Sequence, residues 1–82
     1  MTNEEIRTFL VEAIETIAPD ADLEGIDPGE SLRDELDLDS MDVLALVRAI
    51  HAQLGVDVPE PDYAQIDSLD GCVAYLAARL SG

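Results

Sequence analysis

Asp37-Leu38-Asp39-Ser40-Met41-Asp42 is where the chain changes character. Upstream, from Asp20 to Asp39, no hydrophobic period survives, and Pro28, Gly29 and scattered acids mark a long loop. Downstream, Val43, Leu46, Val47, Ile50 and Leu54 recur at three- and four-residue steps, the spacing of one helix face. Asp39 has the chemistry of an N-cap, and Asp42 stands three residues later, where a capping-box acid belongs. Ser40 therefore starts a helix without being needed to cap it. Its hydroxyl is expected to be exposed, on rigid backbone, beside the positive end of a helix dipole. That position suits a negatively charged group attached to the serine. Met41, Ala45, Arg48, His51 and Ala52 fall off the apolar stripe, and Gly55 fits the residue just past the helix end.

Working outward, the spacing predicts a first helix over 3–18. Thr2 and Glu5 have capping-box spacing, and Ile6, Phe9, Leu10, Ala13, Ile14 and Ile17 form one apolar stripe. Pro19 ends it, because the residue before a proline is steered away from helical backbone. The following loop is longer than compact domains usually carry. Leu23, Ile26, Leu32, Leu36 and Leu38 pin it to the core, and 31–36 reads as a short helical turn that Ser31 and Asp34 cap. Beyond Gly55, Val56-Asp57-Val58-Pro59 is extended, and Pro61 suits the first position of a short helix over 61–66. Ser68 caps a last helix whose buried face is Leu69, Cys72, Val73, Leu76 and Leu80. Gly71 weakens its first turn by up to about 1 kcal/mol relative to alanine.

Composition bounds the function. Eighty-two residues make one domain, read here as 1–82, and 48% hydrophobic content argues for a folded chain with a mostly aliphatic core. Nineteen acids face four arginines and no lysine, a net charge of -15. Such a surface repels nucleic acid and anionic membranes, and its natural complement is a basic patch on another protein. The start Met1-Thr2-Asn3-Glu4-Glu5 lacks the basic, then apolar, pattern of a signal peptide, and no run reaches membrane-spanning length. A cytoplasmic monomer is expected.

Catalysis needs convergent acid, base or nucleophile groups. The chain offers one histidine, His51, without an obvious mate, and one cysteine, Cys72, at a core helical position. The acids from Asp34 to Asp42 do not make a calcium loop. Counted from Asp37, the third ligand position is Met41, the glycine position is Asp42 and the twelfth is Arg48. No enzyme and no metal site is expected.

With these readings in place, the chain resembles the acyl carrier protein family over nearly its whole length. The resemblance rests on Asp39-Ser40-Met41, similar to the family's aspartate-serine-leucine triplet at the start of its second helix. It rests also on Gly55-Val56-Asp57-Val58-Pro59 and on Ile66-Asp67-Ser68-Leu69, similar to the approach to the last helix. Asp37 stands where the family often has glycine, so the loop backbone there is expected to differ. The resemblance implies a covalent 4′-phosphopantetheine group on Ser40, taken from coenzyme A through a phosphopantetheinyl transferase with its magnesium. It implies that acyl groups ride on the arm as thioesters, and that partner enzymes with basic docking patches load and process them.

The expected fold is all-α, a small four-helix bundle of three main helices and a short third one, with a long loop between the first two. Docking is expected around Asp39, Met41, Asp42, Ala45 and Arg48. Ala45, Arg48, His51 and Ala52 interrupt a face that carries several acids in the family's fatty-acid carriers, which points toward polyketide or specialised lipid synthesis as well as fatty-acid synthesis. Two alternatives stand: an aminoacyl or peptidyl carrier loaded by an adenylating enzyme, and an unmodified helical interaction module in which Ser40 only begins a helix.

Overall fold

The computed structural model describes residues 1–23 and 25–81. The chain is all-α: α1 (Asn3–Ile17), α2 (Leu32–Leu36), α3 (Ser40–Leu54), a 3-10 helix (Glu60–Ile66) and α4 (Leu69–Ser81). α1 packs against α3 and α4, and the 3-10 helix packs on α4. The capping box of α1 forms as read. Glu5 N–H donates to Thr2 Oγ1 at 3.1 Å, and Thr2 N–H donates to Glu5 Oε1 at 2.8 Å. The core is aliphatic. Ile6, Leu10 and Ile14 of α1 and Leu46 and Ile50 of α3 meet Leu69, Cys72 and Leu76 of α4, all at most 3% exposed. Val56 and Val58 alternate inward from the extended segment while Asp57 stays exposed.

The long loop is held, and the means are backbone bonds as well as the predicted leucines. Asp22 and Asp27 each turn the chain by accepting from a glycine N–H two or three residues on. Asp70 N–H, at the start of α4, donates to Pro28 O at 3.0 Å. Asp67 then ties down α2. Its carboxylate accepts from Ser31 Oγ at 2.6 Å and from Arg33 N–H at 3.4 Å, and its carbonyl accepts from Leu32 N–H. Leu23 and Ile26 lie half-buried against the core.

The structure amends four expectations. The short third helix is 3-10 and begins at Glu60, so Pro61 takes its second position; Pro59 is the extended residue that precedes it. Tyr75 belongs to the core at 7% exposure, although its position lay off the predicted stripe. Its hydroxyl donates to Asp62 at 2.7 Å, and the hydrogen bond to that carboxylate, with burial, pushes the phenol pKa up. Arg79 completes this tie, with its guanidinium 3.2 Å from Asp62 Oδ2 and 4.6 Å from the centre of the Tyr75 ring. At Asp37 the backbone takes φ 54, a left-handed conformation that favours glycine, and here an aspartate adopts it to close α2.

The fourth concerns Gly71. A Cβ there would lie 2.6 Å from the Gln65 carbonyl oxygen and 2.8 Å from Ser68 Oγ, while Gly71 N–H donates to that same hydroxyl at 2.9 Å. The glycine is what lets α4 start against the 3-10 helix. Helix propensity alone would make Gly71→Ala stabilising by about 1 kcal/mol. The clash with fixed backbone reverses the sign, and we expect a net loss of about 1–3 kcal/mol, seen as a drop of several degrees in the melting temperature. A melting temperature raised by Gly71→Ala would show that the close approach is dispensable.

Candidate functional site

The site is an elbow between α2 and α3. Arg33 O accepts N–H bonds from both Asp37 and Leu38, which closes α2 and turns the chain back. Leu38 is buried and anchors the turn in the core. Asp39 then caps α3: Asp42 N–H donates to Asp39 Oδ1 at 2.9 Å, and Asp39 N–H donates to Asp42 Oδ2 at 3.2 Å. Ser40 is the first helical residue. It is exposed, and its hydroxyl makes no hydrogen bond with the described residues. Leu46, less than two turns further along, is again buried, so the serine sits on backbone held at both sides.

Ser40 opens onto a cleft of about 430 Å³ between α2, α3 and the 3-10 helix. Leu38, Val43, Leu46 and Ile66 supply apolar wall, and Arg33 and Tyr63 supply polar groups. The sequence reading found neither polar residue, since each lies in a short element and reaches Ser40 only through the tertiary fold. Of the other predicted residues, Met41 is 68% exposed, one of two large hydrophobic side chains so placed among the described residues. Asp39 and Arg48 are exposed, and Asp42 and Ala45 are half-buried. His51, further along α3, is exposed, with Nε2 3.3 Å from Asp57 Oδ1, an ion pair when the imidazole is protonated.

No acid–base or nucleophilic set converges at the elbow. Cys72 is 1% exposed, and burial pushes its thiol up to about 12. Among the described residues no His, Cys, Asp and Glu group could hold a metal ion, and no helix is long and apolar enough to cross a membrane.

An exposed serine at a helix start, beside a cleft, is a place where a covalently attached group can be presented to a partner. The comparisons with known proteins agree. The family model for the phosphopantetheine attachment site matches residues 6–76. The chain is 32% identical over 79 residues to an acyl carrier protein of Acidothermus cellulolyticus, covering 94% of this chain and 90% of that one. It is 30% identical to an acyl carrier protein of Campylobacter hominis, over 89% of this chain and 86% of that one. It is 32% identical to a meromycolate extension acyl carrier protein of Mycolicibacterium smegmatis, over 92% of this chain and 75% of that one. The chain belongs to the phosphopantetheine-attachment family. It is an acyl carrier and not an enzyme, it carries the prosthetic group covalently, and it works with acyl-processing enzymes.

The elbow fits such a group. Asp42 N–H is taken by Asp39, but Ser40 N–H and Met41 N–H donate to no acceptor among the described residues. A phosphodiester on the serine would thus meet two unspent donors at the positive end of a 15-residue helix.

The buried thiol gives a prediction. In the folded apo-protein Cys72 should not react with Ellman's reagent at about pH 8, and should react once denaturant unfolds the chain. Its folded pKa of about 12 lies above the ordinary 9.0, so its contribution to stability is complete below pH 9.0 and is lost as pH rises from there to about 12. A fast-reacting thiol equivalent in the folded apo-protein would show that Cys72 is accessible.

Proposed function

We propose that Ser40 is the residue that bears the 4′-phosphopantetheine arm. The observation that supports this is the exposed, unbonded hydroxyl at the first position of α3, freed by the Asp39–Asp42 capping box and facing the cleft. Within a transferase that takes up the hydroxyl proton, Ser40 Oγ attacks the coenzyme A phosphorus nearest the pantetheine; the Oγ–P bond forms as the pyrophosphate P–O bond breaks, and adenosine 3′,5′-bisphosphate leaves. The terminal thiol of the attached arm then holds the acyl group as a thioester. Residues 1–82 form one carrier domain acting in the cytoplasm as a monomer.

The test is intact mass after incubation of the apo-protein with coenzyme A, magnesium and a broad-specificity transferase. The wild type should gain one phosphopantetheinyl group, and Ser40→Ala should gain none. An equal gain in the variant would move the site elsewhere.

Docking of basic partners centres on the first turn of α3, at Asp39, Met41 and Asp42, with Ala45 and Arg48 continuing the face. Met41 offers an adaptable apolar contact. Arg48 repels a basic patch built for an all-acidic helix, which steers the chain toward enzymes of specialised lipid or polyketide synthesis and away from a general fatty-acid synthase. An exposed pair contributes about 1 kcal/mol or less, so Arg48→Glu should raise turnover of the acyl-loaded carrier by a general fatty-acid elongation enzyme roughly a few-fold. The gain should shrink at high salt. Slower turnover after the substitution would return the chain to the housekeeping role.

A further inference from the structure

Two of the four arginines are held by carboxylates. Arg7 lies 4.0 Å from Asp70, and Arg79 lies 3.2 Å from Asp62. Arg33 has no ion pair among the described residues, in a chain with nineteen acids. It lines the same cleft as Ser40 and is the one cation there. Its backbone is fixed more firmly than its exposure suggests. Arg33 N–H donates to Asp67 Oδ1 at 3.4 Å, and Arg33 O accepts from Asp37 and Leu38. A guanidinium on such a seat, lining the cleft with no ion pair among the described residues, is suited to an anion that arrives later. Two carboxylates also line the cleft, and they bear on the magnitude. Asp67 is engaged by Ser31 Oγ at 2.6 Å and by Arg33 N–H, while Glu60 is exposed at the rim.

We propose that Arg33 is a positioning residue that receives an anionic oxygen group brought to the cleft by the arm. This rests on the reading of Ser40 as the attachment site. Two sources share the chemistry: the phosphodiester next to Ser40, and a carboxylate at the far end of the acyl cargo. Both are tethered to the chain, so each acts at a high local concentration and needs little intrinsic affinity. Arginine suits either, because its planar fork can donate two parallel hydrogen bonds to phosphate or carboxylate oxygens. Tyr63 of the 3-10 helix also lines this cleft.

The experiment compares four forms of the full chain, apo, holo, butyryl-loaded and succinyl-loaded, each in wild type and Arg33→Gln. Intact mass first establishes that every form carries its load; a chain that gains no arm refutes the Ser40 reading and leaves Arg33 unable to act as proposed. The readouts are the Arg33 side-chain Nε–H resonance, assigned by its loss in Arg33→Gln, and the melting temperature at low and high salt. If the phosphodiester is the anion, the resonance moves between apo and holo. The melting temperature of holo relative to apo then falls by roughly 2–5 °C in Arg33→Gln at low salt, and the difference fades at high salt. If cargo is the anion, only the succinyl form shows these effects, and the butyryl form matches holo. A resonance that stays put in all four forms, or a substitution that shifts apo and loaded forms equally, overturns the proposal with the mass gain intact.

Discussion

Asp67 holds together what the helices alone would leave apart. It ends the 3-10 helix, and from there its carboxylate and carbonyl reach back 34 to 36 residues to Ser31, Leu32 and Arg33. The carboxylate accepts a hydroxyl and a backbone N–H from the first residues of a five-residue helix. A helix that short has no independent stability in water. It persists because Asp67 takes its orphan donors and Leu32 is buried beneath it. The elbow that follows inherits this fixity through Arg33 O, so the position of Ser40 over the cleft depends on a contact made near the start of α4.

The helices were legible in the sequence because periodicity and caps agreed. Thr2 with Glu5, Asp39 with Asp42, Ser68 and Gly55 sit where local chemistry places them, and each does in the fold what its spacing implies. The exposed place of Ser40 at the first position of α3 was legible for the same reason, since it is set within a few residues of sequence. The cleft was not. Arg33, Tyr63 and Ile66 reach Ser40 across the fold, and no local pattern encodes that meeting. Gly71 was misread because propensity measures a helix alone, whereas the Gln65 carbonyl lies where a side chain would go. Tyr75 was missed because its ring packs inward while its hydroxyl finds Asp62, a pairing that a count of apolar residues does not register.

The acids fall into two kinds. Asp22, Asp27, Asp39, Asp42, Asp62 and Asp67 accept hydrogen bonds that shape turns, caps and helix contacts. Others, such as Glu12, Glu15 and Asp20, are exposed and contribute chiefly field. Around Ser40 the carboxylates of Asp39 and Asp42 each accept a backbone N–H, which fixes where their charge lies.

That arrangement resolves a conflict built into the site. A phosphodiester adds negative charge where the chain is already acidic, and repulsion between exposed charges reaches about 10 Å at moderate salt. Asp39 holds the cap, so α3 would keep its end on the proposed modification of Ser40. The helix dipole and the N–H groups of Ser40 and Met41, which meet no acceptor among the described residues, would offset part of that repulsion for a group on Ser40. With Ser40 as the proposed bearer of the load, the residue that ends the helix and the residue that is modified are separate, so the Asp39 cap is available to apo and loaded states alike.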